Sequence, residues 1–422
     1  MMNKLRVFRR GTAAPLQTSI FWRVVPFLAY LAVEHRLFSR KIMNEYSSAE
    51  EYRIVRLLVM IALIVFGGSP AFAFQTVNPN PDLSLLWEQV QRQPDDFAIG
   101  CIPLSNPSRA VVYNIDRQFP LASVGKLLIF IEYANRLDDG SITIDEMVSV
   151  DDLNRYDLTG TDGGAHQRFM ATYPEGTTRI SLWDVARVGM MQYSSNAASD
   201  YVLQRIEPVD WERVYRSVNV FNTETPHPLT MIALMMSNHE IGRLTLPQAQ
   251  SRAETLFADG EAYFQQFLND PQWHAAELEF RDQRRRGFPD WNVQSYVLNE
   301  YTMTGTVRDF LNVQAAIYGP NGLLPENVKQ LARSSMRWTE NAAINNTYLE
   351  YGSKLGFYSG GVLTLVAYGQ PRNNNPVISV TFLRNIPRET YFAMQDEDTI
   401  GNLAHWMNLH ACEGLREMLP TS

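Results

Sequence analysis

Apolar residues along this chain fall in two kinds of stretch, strand-like and helical, and the two are segregated. Short strand-like stretches lie at 97–104 and 109–115, joined by the turn Ser105-Asn-Pro-Ser108. They return at 348–356, 361–368 and 377–383. Between these ends the period is helical. A short amphipathic helix is expected at 83–91 behind Asp82, and others at 122–137, 181–191, 203–218, 306–318 and 325–336. At least two fall within 245–279, and a final one spans 391–418. The 122–137 helix is apolar nearly all round (Leu127, Leu128, Phe130, Ile131) and so should be buried. It stops at Asp138-Asp-Gly140, and the glycine-rich 157–166 reads as a loop. Two early and three late strands can form one antiparallel five-stranded sheet. Terminal helices would flank it, with an all-helical subdomain beside it, an α+β arrangement.

The first seventy residues depart from this pattern. An apolar run at 54–66 is broken only by Arg56, follows Arg53, and precedes Ala71-Phe-Ala73. That is a charged region, a short apolar core and a small-x-small site, as in a secretory signal cleaved after Ala73. Residues 43–73 are therefore read as a signal peptide or membrane-associating segment, with Met43 a natural start. Residues 1–42 are an extension that either precedes the true start or adds a second membrane-associating piece, given the apolar patch at 20–33. A plain N-terminal anchor also fits the whole region. The remaining domain is 74–422, with a helical insertion at about 237–299. Ten Lys/Arg and four Asp/Glu fall in residues 1–73, which leaves 27 basic and 41 acidic residues, a net of −14. So acidic a domain is not expected to bind nucleic acid. In an oxidising compartment Cys101 and Cys412 can bridge, and a free buried pair fits equally.

Candidate chemistry begins at Ser123-Val-Gly-Lys126, where the helical period starts. Three residues apart on a helix, the two side chains share a face. A serine hydroxyl needs an adjacent base, and a lysine whose pKa is lowered by burial can supply one. Alone, the spacing also fits a serine N-cap and a solvated lysine. Two further signals follow in order: Tyr193-Ser194-Ser195-Asn196 at a helix end, and Ser353-Lys354-Leu355-Gly356 on a strand, followed by Ser359-Gly-Gly361. This order resembles the penicillin-recognising serine enzymes, above all class A β-lactamases, whose pattern is Ser-x-x-Lys, Ser-Asp-Asn and Lys-Thr-Gly. Phe119-Pro before the serine and Asn196-Ala-Ala after the second motif agree with it, and the likeness spans about 83–418.

The resemblance implies roles. Ser123 would attack a carbonyl, with Lys126 taking its proton or holding a water that does. Ser194 would pass a proton to the leaving nitrogen, and Lys354 would attract a substrate carboxylate. Asn196 would bond the substrate amide and steady Lys126. The amides of Ser123 and Phe357 would form an oxyanion hole, with Gly356 and Ser359 beside the substrate. Three departures stand against it. Ser195 replaces an aspartate that braces the second motif, and Leu355 replaces a hydroxyl residue that helps hold the substrate carboxylate. The family's Glu-x-x-x-Asn loop, whose Glu activates the deacylating water, reads here Phe221-Asn-Thr-Glu-Thr-Pro-His-Pro-Leu-Thr230. Glu224 is its only acid and the candidate deacylation base, with His227 a weaker one. His166, in the glycine-rich loop, could reach the cleft rim.

The expected protein is an exported, periplasmic or extracellular serine hydrolase, a monomer, forming an acyl-enzyme at Ser123 with β-lactams or peptidoglycan-derived substrates. Membrane contact would run only through the N-terminal segment, and no cofactor or metal is implied. A D-alanyl-D-alanine carboxypeptidase or esterase is the alternative enzyme. A penicillin-binding sensor that stays acylated is the alternative of another class.

Overall fold

The strand-like stretches form strands β1 (Phe97–Pro103), β2 (Val111–Tyr113), β3 (Tyr348–Tyr358), β4 (Val362–Pro371) and β5 (Val377–Leu383) in the computed structural model. The structure describes residues 77–282, 288–320, 322–338 and 341–420. All belong to the unit Phe74–Ser422. The readings made for 1–42 and 43–73 lie outside the described residues.

The strands pair antiparallel in the order β2-β1-β5-β4-β3. The first and last strands therefore meet in the middle of the sheet, Phe97 opposite Leu383 and Pro103 opposite Val377. Side chains divide by period two. Ala98, Val366, Val380 and Phe382 join one core with the helix Val307–Tyr318. Phe97, Ile99, Cys101 and Leu365 face the other core, under the helices Ser84–Arg92 and Thr399–Leu409. Cys101 and Cys412 are bridged across that second core, with a Cα–Cα distance of 5.8 Å. This settles the alternative the sequence left open.

Several helices differ from their expected lengths for identifiable reasons. Pro208 divides 203–218, leaving Asn196–Ile206 and Trp211–Ser217, since proline cannot donate the interior helical bond. Asp398, at φ 49°, separates Arg388–Asp396 from Thr399–Leu409. The expected 122–137 helix opens as a 3-10 turn, Ala122–Gly125, and becomes α-helical at Lys126–Asp138. The expected 181–191 helix is one α turn, Leu182–Asp184, followed by a π-helix, Val185–Gln192. After the helix Leu229–Met236 the chain makes the hairpin Ser237–Asn238/Gly242–Arg243. The helices Leu246–Ser251, Leu256–Asn269, Pro271–Asp282 and Trp291–Tyr301 follow. These helices bury a third core containing Met235, Phe264, Phe267 and Trp273.

Candidate active site

The short strand Phe119–Pro120, paired with Thr304–Gly305, delivers the chain to Ala122. Ala122 has φ 47°, a left-handed conformation, which for a non-glycine residue costs about 1–2 kcal/mol. The strain turns the backbone so that Ser123, half-buried, sits on the 3-10 turn and Lys126 heads the buried helix. Lys126 is 1% exposed. Its Nζ donates to Ser194 O (2.5 Å), Asn196 Oδ1 (3.1 Å), Ser194 Oγ (3.3 Å) and Ser195 O (3.3 Å). All four acceptors are neutral. Burial pulls the Lys126 pKa from 10.5 to about 7, against the opposing charges of Asp162 and Asp200. Near neutrality much of this lysine is a free amine, able to take a proton. Ser123 Oγ and Lys126 Nζ are not hydrogen-bonded to each other among the described residues.

The π-helix ends at the second motif. Tyr193 N donates to Val188 O (2.8 Å), and Ser195 N to Gly189 O (2.9 Å). The widened turn and a left-handed Ser194, φ 68°, present the Ser194 hydroxyl to both lysines. Lys354 Nζ on β3 donates to Ser194 Oγ at 2.8 Å, and Lys126 approaches the same oxygen at 3.3 Å. Lys354 is buried, and burial first, then the Lys126 charge, drives its pKa well below the ordinary value. Two cations at one oxygen disfavour double protonation.

The bracing expected from an aspartate at position 195 comes from another loop. Asp162 accepts from the backbone amides of Gly164 (3.0 Å), Ala165 (2.9 Å), His166 (3.1 Å) and Asn196 (3.2 Å). Ser195 Oγ caps the next helix by accepting from Ala198 N (3.0 Å) and meets His166 Nδ1 (3.0 Å). His166 Nε2 lies 2.9 Å from Asn154 Oδ1. His166 is therefore a buried brace behind the motif, not a residue of the cleft rim.

The third motif works through a missing side chain. A Cβ on Gly356 would lie 2.8 Å from Ser123 N and 2.9 Å from Leu121 O. Glycine lets β3 press against the amide of Ser123, so Ser123 and the following residue, Phe357, share one edge. Phe357, Ser359 and Asn196 line a cleft of about 630 Å³. Its opposite wall includes Ile232, Met236, Trp291 and Leu298 from the helical region. Leu355 points away and packs with the core under the terminal helices.

Glu224 is not brought to this cluster. It is exposed, its Oε2 accepts from Thr304 N (2.8 Å), and its backbone also pairs with Thr304. It thus extends the ribbon that carries Ser123 and lines neither cavity beside the cluster. His227 lies beside Lys126 instead, in a small second cavity. Asp200 was not singled out from the sequence, yet it accepts from Leu229 N (2.7 Å) and Thr230 N (2.9 Å), fixing the loop that carries His227. Burial raises its pKa to about 6. Its place four residues after Asn196, one turn along the same helix, was the available signal. For Asp162 the signal was the Asp-Gly-Gly turn.

Among solved structures the chain is similar to a β-lactamase from Sphaerobacter thermophilus (14% identity, TM-score 0.49, 79% of this chain and 98% of that one). It is also similar to a β-lactamase from Burkholderia vietnamiensis (14%, 0.46, 79% and 98%) and a class A β-lactamase from Mycobacterium abscessus (13%, 0.45, 77% and 97%). No curated protein matches the chain. The family model described as the beta-lactamase enzyme family matches residues 86–405, from the first terminal helix to the last and across all three motifs. The chain belongs to the beta-lactamase enzyme family.

Proposed function

We propose that this protein is an exported serine hydrolase that forms an acyl-enzyme at Ser123 with amides or esters such as β-lactams. The observation that carries the reading is the Ser194 hydroxyl held between two buried lysines, 3.3 Å from Lys126 and 2.8 Å from Lys354. In the proposed reaction Ser123 Oγ attacks the carbonyl carbon as its proton passes to the Lys126 amine. Catalytic hydrogen bonds that are absent in a free enzyme tighten when substrate closes the gap. The amides of Ser123 and Phe357 hold the developing oxyanion, each donor contributing about 3–4 kcal/mol of barrier lowering in comparable sites. The proton then moves from Lys126 through Ser194 to the leaving nitrogen, a path a hydroxyl can serve because it donates and accepts. Lys354 attracts the substrate carboxylate. Export is supported by the signal-like pattern of 54–73 and by the Cys101–Cys412 bridge, a bond that persists in oxidising compartments. Peptidoglycan-derived peptides are the accompanying substrate class.

One observation favours a second reading, an esterase whose substrates carry no carboxylate. With Leu355 turned into the core, no hydroxyl of that residue helps Lys354 anchor a carboxylate. Ile232, Met236 and Leu298 give an acyl side chain an apolar wall, beside Arg243, Arg281 and Arg388. The test is an intact-mass time course of the protein with benzylpenicillin, nitrocefin and a nitrophenyl ester. An adduct that peptide mapping places on Ser123 is expected. Labelling that survives in Ser123→Ala would remove Ser123 as the nucleophile.

A further inference from the structure

Beside Lys126 lies a small cavity that the acylation chemistry does not use. It has a volume of about 20 Å³ and is lined by Ala122, Gly125, Lys126, Pro226, His227 and Tyr358, among others. A space above roughly 10–15 Å³ admits one water, provided polar groups meet it. His227 supplies one such group, and Lys126, Thr302 and Tyr358 are the other polar residues of the lining. His227 Nε2 is buried and has no hydrogen-bond partner among the described residues, which for a buried polar atom costs about 1–3 kcal/mol unless something outside the protein completes it.

We infer that this cavity holds the hydrolytic water of the acyl-enzyme and that His227 is the general base that activates it. The inference rests on the acyl-enzyme reading above. In the step, the water oxygen bonds to the ester carbonyl carbon and one water proton passes to His227 Nε2. On collapse the bond from that carbon to Ser123 Oγ breaks, and Oγ recovers a proton from His227 through Lys126. The released acid ionises into solvent, so the enzyme returns unchanged.

The surroundings fit the role. Burial lowers the His227 pKa to about 4, partly offset by a backbone hydrogen bond with Thr225. The ring is then neutral at neutral pH, with the basicity of an ordinary carboxylate, about 4. The ring is fixed by the prolines on either side, by edge-on packing against Phe257 (5.5 Å) and by Asp200 clamping Leu229 and Thr230. The titratable groups around it are Lys126 and Tyr358 in the cavity wall and Asp200 behind the loop.

The experiment separates formation of the adduct from its decay, by intact mass after mixing with excess benzylpenicillin and after its removal. His227→Gln and His227→Asn should acylate at nearly the wild-type rate, which also certifies their folding. Their adducts should decay at least about 100-fold more slowly, within the 10²–10⁴-fold range of general-base catalysis. Added imidazole should restore decay in His227→Ala, a rescue that a purely structural role would not show. Decay at the wild-type rate in a variant that acylates normally overturns the base assignment alone. So does a wild-type adduct that never decays, while both leave the acyl-enzyme reading standing. No adduct in the wild type with any of the three probes overturns both.

Discussion

The candidate catalytic cluster and the helical region treat buried charge in opposite ways. In the helical region Glu277 is fully buried, and among the described residues it accepts from Arg281 and His239. Arg281 Nε lies at 2.7 Å, His239 N at 2.7 Å and His239 Nδ1 at 3.0 Å. In the cluster Lys126 and Lys354 are as deeply buried, yet among the described residues their amine nitrogens bond hydroxyl, amide and carbonyl oxygens and no carboxylate. Asp162 and Asp200 act on Lys126 from a distance and are themselves occupied by backbone amides. A paired charge holds its protonation state and fixes a shape. A charge left with neutral acceptors is poised to give its proton away, which is why perturbed groups gather where chemistry is done.

The comparison is broken most completely at Ser123. Ser123→Ala should abolish covalent labelling, as read by intact mass, while leaving the melting temperature close to wild type. Lys126→Ala comes next. Acylation should slow by about 10²–10⁴-fold, the usual range for a general base, in stopped-flow traces with nitrocefin. In the wild type, acylation should rise with pH through about 7 as Lys126 loses its proton. A profile flat across that region would show that another group is the base.

On the structural side, Glu277→Ala should cost about 3–5 kcal/mol in urea unfolding, because Arg281 is left buried without its carboxylate. The same substitution should leave the acylation pH profile unmoved. Lys126→Met sharpens the contrast through linkage. Between about 7 and 10.5 the unfolded chain carries a proton on Lys126 that the folded chain has lost, so wild-type stability should climb with pH by at most about 1.4 kcal/mol per unit. The variant should lose that part of the climb, as followed by denaturant midpoints at pH 7, 8 and 9. Smallest of all, Ser195→Ala removes a helix cap, worth about 0.5–2 kcal/mol. Equal stability of this variant would mean that Asp162 alone braces the motif.

The sheet was legible because its strands are short apolar runs bounded by turn residues, and the three motifs because each is a short local run of residues in a recognisable order. The bracing groups were not legible. Asp162 and His166 stand about thirty residues before the motif they support, in a loop whose only pattern is its glycines. Glu224 and His227 sit three residues apart on one loop, and chemistry alone favoured the carboxylate. Which of them turned inward was decided by Thr304, whose amide holds Glu224 outward, and by Asp200, which draws Leu229 and Thr230 in. Those are contacts between elements far apart in sequence, and no local pattern encodes them.

The π-helix Val185–Gln192 has a consequence for how this site tolerates change in length. A π turn is an α-helix carrying surplus residues, held because something at its end rewards the extra reach. Here that end is Ser194, in its left-handed pose between two lysines. Deleting one residue from 185–192 would let the segment relax to ordinary winding, a more comfortable helix. It would also swing the hydroxyl round by roughly 100°, the step between successive residues of a 3.6-residue turn. The segment that looks least regular is therefore the one least able to shorten: a deletion there should raise the melting temperature and end acylation together.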